Sequence, residues 1–461
     1  MALVRFGGIG SGIDTSSIID ALISQQRKVQ IAPIEQRLAT LNDSVDALSE
    51  LKGLLSTLSD KASVFRVLNG GALSKLVSSS NESVATAAVS NAAASGSYSI
   101  SVNSLATRGS SSFNERYSSS SDVLISGIND LDLEDDRTIE VEVGGEAVEI
   151  VVSSTTTVSD FISQFNSQST KGTASLINVG TSSSPEYAIS ISANSEGTEL
   201  GTVSITGGAS VAAFVADSTS VNATDAEFTM TGIAGTITRN SNTFSDLIEG
   251  VTISLSGTGT TNLTVSVDSE STKSKLGELV EAYNAIAQYV TENDQTTLEQ
   301  DGSELIPIYG SLSEVGVDDS LIQSLRDVIR QTSNESGSVR ILADLGITTN
   351  RDGTLSFDED TFDDAISGDP DSVASLLEEI GEEFGGTASG TVYEFTRYGG
   401  LIDITSNQQS DSIRNNQLRL SDLEKRLAET EEQLIAKYAA LERIIGSLQS
   451  TQNALTGLLP S

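Results

Sequence analysis

Residues 413–455, "IRNNQLRLSDLEKRLAETEEQLIAKYAALERIIGSLQSTQNAL", decide how this chain is built. Ile413, Leu420, Leu427, Leu434, Leu441, Leu448 and Leu455 hold strict seven-residue spacing. That is the period of a helix keeping one seam against a partner. The column three residues further on is weaker: Asn416, Leu423, Thr430, Lys437, Ile444, Thr451 and Leu458. One apolar column beside a polar one buries modest area, so this helix is expected to need a partner. Glu424, Lys425, Glu431 and Glu432 supply strong helix formers away from the seam.

The other end of the chain has a matching pattern. In "DTSSIIDALISQQRKVQ" (14–30), Asp14 or Thr15 is a plausible N-cap, and Ile18, Ile19, Leu22 and Ile23 share one helical face. Pro33 is well placed to begin a second helix. There Ile34, Leu41, Leu48 and Leu55 recur every seven residues, Leu38 and Val45 fill the adjacent column, and Lys52 interrupts it. Two heptad-bearing ends favour pairing between them or between subunits. The expected assembly seam is therefore Ile34, Leu38, Leu41, Leu48, Leu55, Ile413, Leu420, Leu427, Leu434, Leu441, Leu448 and Leu455.

Between the ends the period changes. From about residue 78 to 270 the chain is rich in Ser, Thr and Gly. "SYSISVNSLA" turns Tyr98, Ile100 and Val102 to one side, the alternation of a half-buried strand. "TIEVEVGGEAVEIVV" predicts a hairpin turning at Gly144-Gly145. A short amphipathic helix through Val158, Phe161, Ile162 and Phe165 follows, then strands at "TASLIN" and "EYAISISAN". "GVTISLSGTGTTNLTVSVDS" reads as a second hairpin, and the aperiodic "GSSSFNERYSSSSD" (109–122) as a module boundary. Helical period returns with Leu276, Leu279, Val280, Tyr283, Ile286 and Val290. It continues with Leu321, Leu325, Val328 and Ile329, capped by Asp318 or Asp319. The expected fold class is α+β multidomain: a helical coiled-coil domain built from both chain ends, with two inserted mainly-β domains.

Composition excludes much chemistry. The 461 residues contain no Cys, no His and no Trp. Zinc sites and imidazole-dependent nucleophilic catalysis lack their side chains, which argues against an enzyme. Sixty-four acidic residues face 26 basic ones, and from Ser118 to Thr272 the bases are Arg137, Lys171 and Arg239 alone. Such a surface repels phosphate backbones and anionic lipid, so neither nucleic acid nor a membrane is an expected partner. No run approaches the ~20 apolar residues of a membrane span. The amino terminus lacks the apolar core of a cleaved signal peptide.

Two motifs invite sharper readings. In "GITTNRDGTLSFDEDTFDDA" (346–365), Asn350, Asp352, Gly353, Leu355 and Glu359 take positions three, five, six, eight and twelve of a calcium loop. Thr348, however, stands where the first acidic ligand belongs, and only a short helical turn leads in. The expected structure is a tight Asp352-Gly353 turn between strands, with weak calcium binding at Asp352 and Glu359 at most. "GGIGSGID" places Gly8, Gly10 and Gly12 as GxGxG, the wrong spacing for a dinucleotide loop. No catalytic, cofactor-binding or metal residue is expected.

Taken together, the motifs resemble the flagellar hook-associated protein 2 family, the filament cap proteins. The resemblance rests on "GIGSGIDTSSIIDALISQQRKVQIAPIEQRLATL", "EGVTISLSGTG", "LVEAYNAIAQYV", "DGTLSFDEDTFDDAISGDPDSVASLLEE" and "RLAETEEQLIAKYAALERIIGSLQSTQNALTGLL", in that family's overall pattern. Residues 138–200 are similar to the β insert of hook-associated proteins and flagellins. The resemblance implies a secreted, extracellular ring of four to six subunits at the flagellum tip. Such a ring retains flagellin and promotes its folding during filament elongation. It implies flagellar type III export without a cleaved signal peptide, and as partners flagellin, an export chaperone and the hook-associated junction proteins. In some members it also implies host or surface ligands. The implied division is terminal mobile helices at 1–38 and 430–461 and a helical domain at 39–77 and 270–429. A first β domain would take 78–121 and 225–269, and an outer β insert 122–224. A hook–filament junction protein and an extracellular adhesin are the alternatives, with a carboxylate-pair glycan hydrolase more distant.

Overall fold

The structure is a computed structural model that describes residues 14–128, 130, 136–301, 304–333 and 337–456. It divides into two compact units, Met1–Ala72 with Glu270–Ser461, and Leu73–Ser269. The first is helical apart from two short hairpins, and the second is mainly β. The expected α+β class is the observed one.

In the helical unit, Asp14 caps the helix Thr15–Gln30 by accepting from the Ser17 amide at 3.1 Å. Its carboxylate also takes the hydroxyls of Ser17 and Ser16, and these bonds hold its pKa down to about 2. Of the four residues read as one face, Ile19 is buried while Ile18 and Leu22 are exposed. Ile31 separates this helix from the next, Ala32–Ser63, which has Pro33 in its first turn.

On that second helix Ile34, Leu41, Leu48 and Leu55 are buried. The expected second column is corrected: Leu38, Val45 and Lys52 are only half-buried, and the buried partners are Ser44, Leu51 and Leu58. The helix packs on the helices Leu401–Thr456, Pro370–Gly385 and Thr391–Thr396, so the side it buries is set by more than one neighbour. Ser44 is tolerated there because its hydroxyl donates to the Thr40 carbonyl at 3.0 Å. Full burial of each such leucine is worth roughly 1.5–3 kcal/mol.

The helix Ser269–Asp294 buries Leu276, Leu279, Val280, Tyr283, Ile286 and Val290, the face its period predicts. In Val317–Ile329 the cap is corrected: Gly316, in the left-handed region, occupies the N-cap, and Asp318 is buried in the first turn. Burial raises the Asp318 pKa above the ordinary carboxylate value.

The β unit holds two hydrophobic cores. One lies between a five-stranded antiparallel sheet and a three-stranded one. The larger sheet runs Lys75–Ser79, Gly259–Val267, Gly96–Ser104, Ala226–Met230 and Ile237–Arg239 in spatial order; the smaller runs Thr243–Ile248, Val251–Leu255 and Ala85–Val89. Phe228 and Phe244 stack at its centre, 5.2 Å between centroids. The second hairpin expected from the sequence is not one. Val251–Leu255 and Gly259–Val267 belong to different sheets, and the link crosses between them. The Val84 carbonyl accepts from the amides of Ser256 and Gly257, which fastens this crossing.

The other core joins the strands Ser110–Phe113, Tyr187–Ala193, Gly172–Asn178, Thr138–Val143 and Glu146–Val151 to the helix Val158–Gln168. Gly144 and Gly145 turn the predicted hairpin with φ of 53° and 81°. Thr157 and Asp160 form a reciprocal capping box at the helix start. The stretch 109–122 is more than a boundary, because Phe113 and Tyr117 lie buried in this core. Its strand alternates, but with Ser111 at the other inward position, so the period is hard to see.

Candidate assembly surface

The calcium-like stretch folds as a hairpin. Ile347–Thr349 pairs with Leu355–Phe357 across the Asp352-Gly353 turn. Asp352 accepts from the Thr354 amide at 3.0 Å and hydroxyl at 2.7 Å, which lowers its pKa. Asn350 is spent on Thr354 and Ser356. Glu359 begins the next helix beside Lys273, at 3.8 Å, and Asp363 meets the same ammonium at 3.0 Å. A Cβ placed on Gly353 would lie 2.6 Å from Arg326 Nη2. Two cations therefore face the loop, and its carboxylates serve turn and helix start.

A second concavity, in the β unit, is a cleft of about 430 Å³ lined by Arg116, Tyr117, Asp122 and Phe214 among others. Its polar groups are engaged locally. The buried Tyr117 hydroxyl donates to the Leu124 carbonyl at 2.9 Å, and its pKa is pushed up by burial. Asp122 accepts from the Ser118 and Ser119 amides, and Arg116 donates to the Asn114 and Glu115 carbonyls. Among the described residues no group of three or more acidic side chains could hold a metal ion.

Among the described residues a run of exposed aliphatic side chains lies on the 56-residue terminal helix Leu401–Thr456, roughly 84 Å long. Both amino-terminal helices pack against it. Lys52 Nζ meets Asp403 Oδ1 at 2.5 Å, and Arg27 Nη2 approaches Glu424 Oε1 at 3.9 Å. The lower residue pairs with the higher, so the register is antiparallel and sets Asp14 at the level of roughly residue 440.

That register divides the predicted seam. Ile34, Leu41, Leu48 and Leu55 are buried within the chain itself, so the expectation that they wait for another subunit is corrected: they are core. Ile413, Leu420, Leu427 and Leu434 are half-buried. Farther along the same column Leu441, Leu448 and Leu455 stand at 46%, 62% and 60% exposure. Ile444 joins them at 57%; the sequence reading placed it in the weaker column and left it out of the seam. What identifies it is its place three residues after Leu441 and four before Leu448, the spacing of a second contact column.

Models of known families match the chain in two places. Residues 11–109 match the flagellar hook-associated protein 2 amino terminus, and residues 223–450 its carboxyl terminus. The second β core falls largely between them. The chain is 27% identical to the B-type flagellar hook-associated protein 2 of Pseudomonas aeruginosa, over 98% of both chains. It is 24% identical to the flagellar hook-associated protein 2 of Escherichia coli, over 99% of this chain and 98% of that one. Its fold is similar to the crystal structure of the D1-D2-D3 domains of the flagellar cap protein FliD from Escherichia coli. The TM-score is 0.61 at 22% identity, covering 79% of this chain and 99% of that one.

Proposed function

Because the chain belongs to the flagellar hook-associated protein 2 family, we infer that it is a structural cap at the distal tip of the bacterial flagellar filament, with the open stripe Leu441, Ile444, Leu448 and Leu455 as an assembly surface. The observation that carries the assignment of the stripe is its exposure. The heptad column that is half-buried at Ile413, Leu420, Leu427 and Leu434 is exposed at Leu441, Leu448 and Leu455.

Four half-exposed aliphatic side chains offer roughly 3–7 kcal/mol of gross burial. Association costs consume much of that, so one stripe binds weakly and reversibly. Several stripes presented by a ring act together, which holds a cap in place while single contacts exchange. A cap that must let flagellin in beneath it requires this combination.

In this reading the partners are further copies of the chain, in a ring of four to six, and flagellin. An export chaperone and the hook-associated junction proteins meet it on the way out through the flagellar type III route. Residues 1–38 and 430–461 form the part that engages the filament, and 39–77 with 270–429 the helical body. Residues 78–121 with 225–269 form the first β domain, and 122–224 the outer insert, whose acidic face suits solvent and, in some settings, surface ligands. The work is done by packing and not by turnover. Among the described residues no helix is long and apolar enough to cross a membrane.

The test is complementation of cells lacking their own cap protein, with electron microscopy of filament ends carrying a tagged copy. Label confined to distal tips, with restored filaments, is the expected result. Label at the hook junction, or restored adhesion without filaments, would overturn the assignment.

A further inference from the structure

The cleft beside Tyr117 and Phe214 in the β unit is unevenly charged. Glu115, Asp122 and Asp217 line it against one guanidinium, that of Arg116. Asp122 accepts from the amides of Ser118 and Ser119 and from the Ser119 hydroxyl, and Asp217 from the Asn114 side-chain amide at 2.9 Å. Neither of them, nor Glu115, meets a cation among the described residues. The amide bonds lower the Asp122 pKa, so its charge persists into mild acid. Burial raises the Tyr117 pKa, and Glu115 and Asp122 both add to it, which puts the two carboxylates near the same ring.

Between the charges the lining is apolar. Val123 is 43% exposed, and Ile125 and Phe214 are half-buried. Phe113 stacks behind Phe214 at 4.5 Å and holds its ring, and an aromatic face attracts a cation. Arg116 adds a different group. Its Nη1 donates to the Asn114 and Glu115 carbonyls, while Nε and Nη2 have no partner among the described residues. The complement of this lining is a cation on an apolar stem with a hydrogen-bond acceptor close by. A lysine or arginine within a polypeptide has all three parts: stem, charged head and backbone carbonyl. A free alkylamine lacks the acceptor. A second copy of this chain, at a formal charge of −38, is poorly matched to an acidic cleft, which favours a different and basic protein.

We propose that this cleft receives one lysine or arginine side chain from a basic segment of another protein, with Glu115, Asp122 and Asp217 around the charged head, Val123, Ile125 and Phe214 along the stem, and Arg116 on the adjoining carbonyl. The proposal goes beyond the capping role, which rests on the terminal helix. Its volume of about 430 Å³ falls within the range of specific ligand sites. A concave site lined by one sign of charge also concentrates the opposite sign at its mouth.

The test titrates the full-length protein with a fluorescent, end-blocked peptide of alternating arginine and glycine, followed by anisotropy at roughly physiological salt. Saturable binding is expected, and none for the same peptide with glutamate in place of arginine. Glu115→Gln with Asp217→Asn is expected to weaken binding about fivefold or more. Glu82→Gln with Glu227→Gln removes the same charge from exposed positions elsewhere in the β unit and is expected to change it less than about twofold. Ser126→Lys, which sets a tethered ammonium among the lining residues and leaves every carboxylate in place, is expected to weaken binding as much as the first pair. Unchanged thermal midpoints show that the variants fold. No saturable binding, equal losses from the two double variants, or full binding by Ser126→Lys overturns the proposal. Agmatine, a free alkylguanidine, displacing the peptide as well as unlabelled peptide does at equal concentration overturns the polypeptide partner.

Discussion

Lys52 and Asp403, 351 residues apart in the chain, meet at 2.5 Å between the second helix and the terminal one. Lys52 is the residue that interrupts the heptad column in the sequence. In the structure it joins the two chain ends, since Asp403 accepts from it and from the Gly399 amide at 3.2 Å. The Lys52 bond is the largest cause of the lowered Asp403 pKa.

A lowered carboxylate pKa contributes stability that is present above the unfolded value and lost as pH falls through the folded one. Lys52→Met is therefore expected to lower the thermal midpoint at neutral pH. The difference from wild type should close as pH falls below the ordinary Asp value of about 3.9. Melting curves across that range check it, and a difference that persists in acid would assign the effect to packing of the lysine stem.

The buried second column makes a contrasting pair of substitutions. Leu51→Ala, at a site with 0% exposure, is expected to cost about 2–5 kcal/mol in denaturant unfolding. Leu38→Ala, half-buried on the flank, should cost distinctly less. Equal costs would restore the column read from the sequence.

Gly353 sits at φ 88°, and Arg326 Nη2 lies 2.6 Å from where its Cβ would stand. Gly353→Ala is expected to destabilise the helical unit by at least ~1–2 kcal/mol, the cost of the left-handed region for an L residue. Millimolar calcium should leave the wild-type melting temperature unchanged. A calcium-dependent rise would return the loop to a metal role.

Phe113 is fully buried, 5.9 Å from Phe161 and 4.5 Å from Phe214 between ring centroids. Phe113→Ala should cost about 3–5 kcal/mol. Hydrogen exchange should rise in Thr138–Val143 and Tyr187–Ala193, which share its core, more than in Gly96–Ser104, which does not. The opposite distribution would place 109–122 with the other core.

What was legible in the sequence was local. The Gly144-Gly145 hairpin, the amphipathic helix through Val158 and Phe161, the Asp352-Gly353 turn and the leading column Ile34, Leu41, Leu48 and Leu55 each depend on residues a few positions apart, and each is found where expected. What failed depends on contacts far along the chain. Whether Val251–Leu255 pairs with the next strand or lies in the facing sheet is decided by Ala85–Val89, more than 160 residues earlier. Whether Leu38 or Leu51 is the inner residue is decided by helices 300 residues later. The seam was readable as a period, but which of its residues are buried, half-buried or exposed depends on helices packed from the other end of the chain, which no local pattern records.

Filament growth in cells lacking their own cap protein, supplied with this chain carrying Leu448→Asp or Ser450→Asp, tests the role of the open stripe most directly. Ser450→Asp, on the outer side of the helix, is expected to support filaments of wild-type length. Leu448→Asp is expected to leave filaments absent or under roughly a tenth of that length, with unpolymerised flagellin in the medium. Full-length filaments with Leu448→Asp would contradict the assembly role.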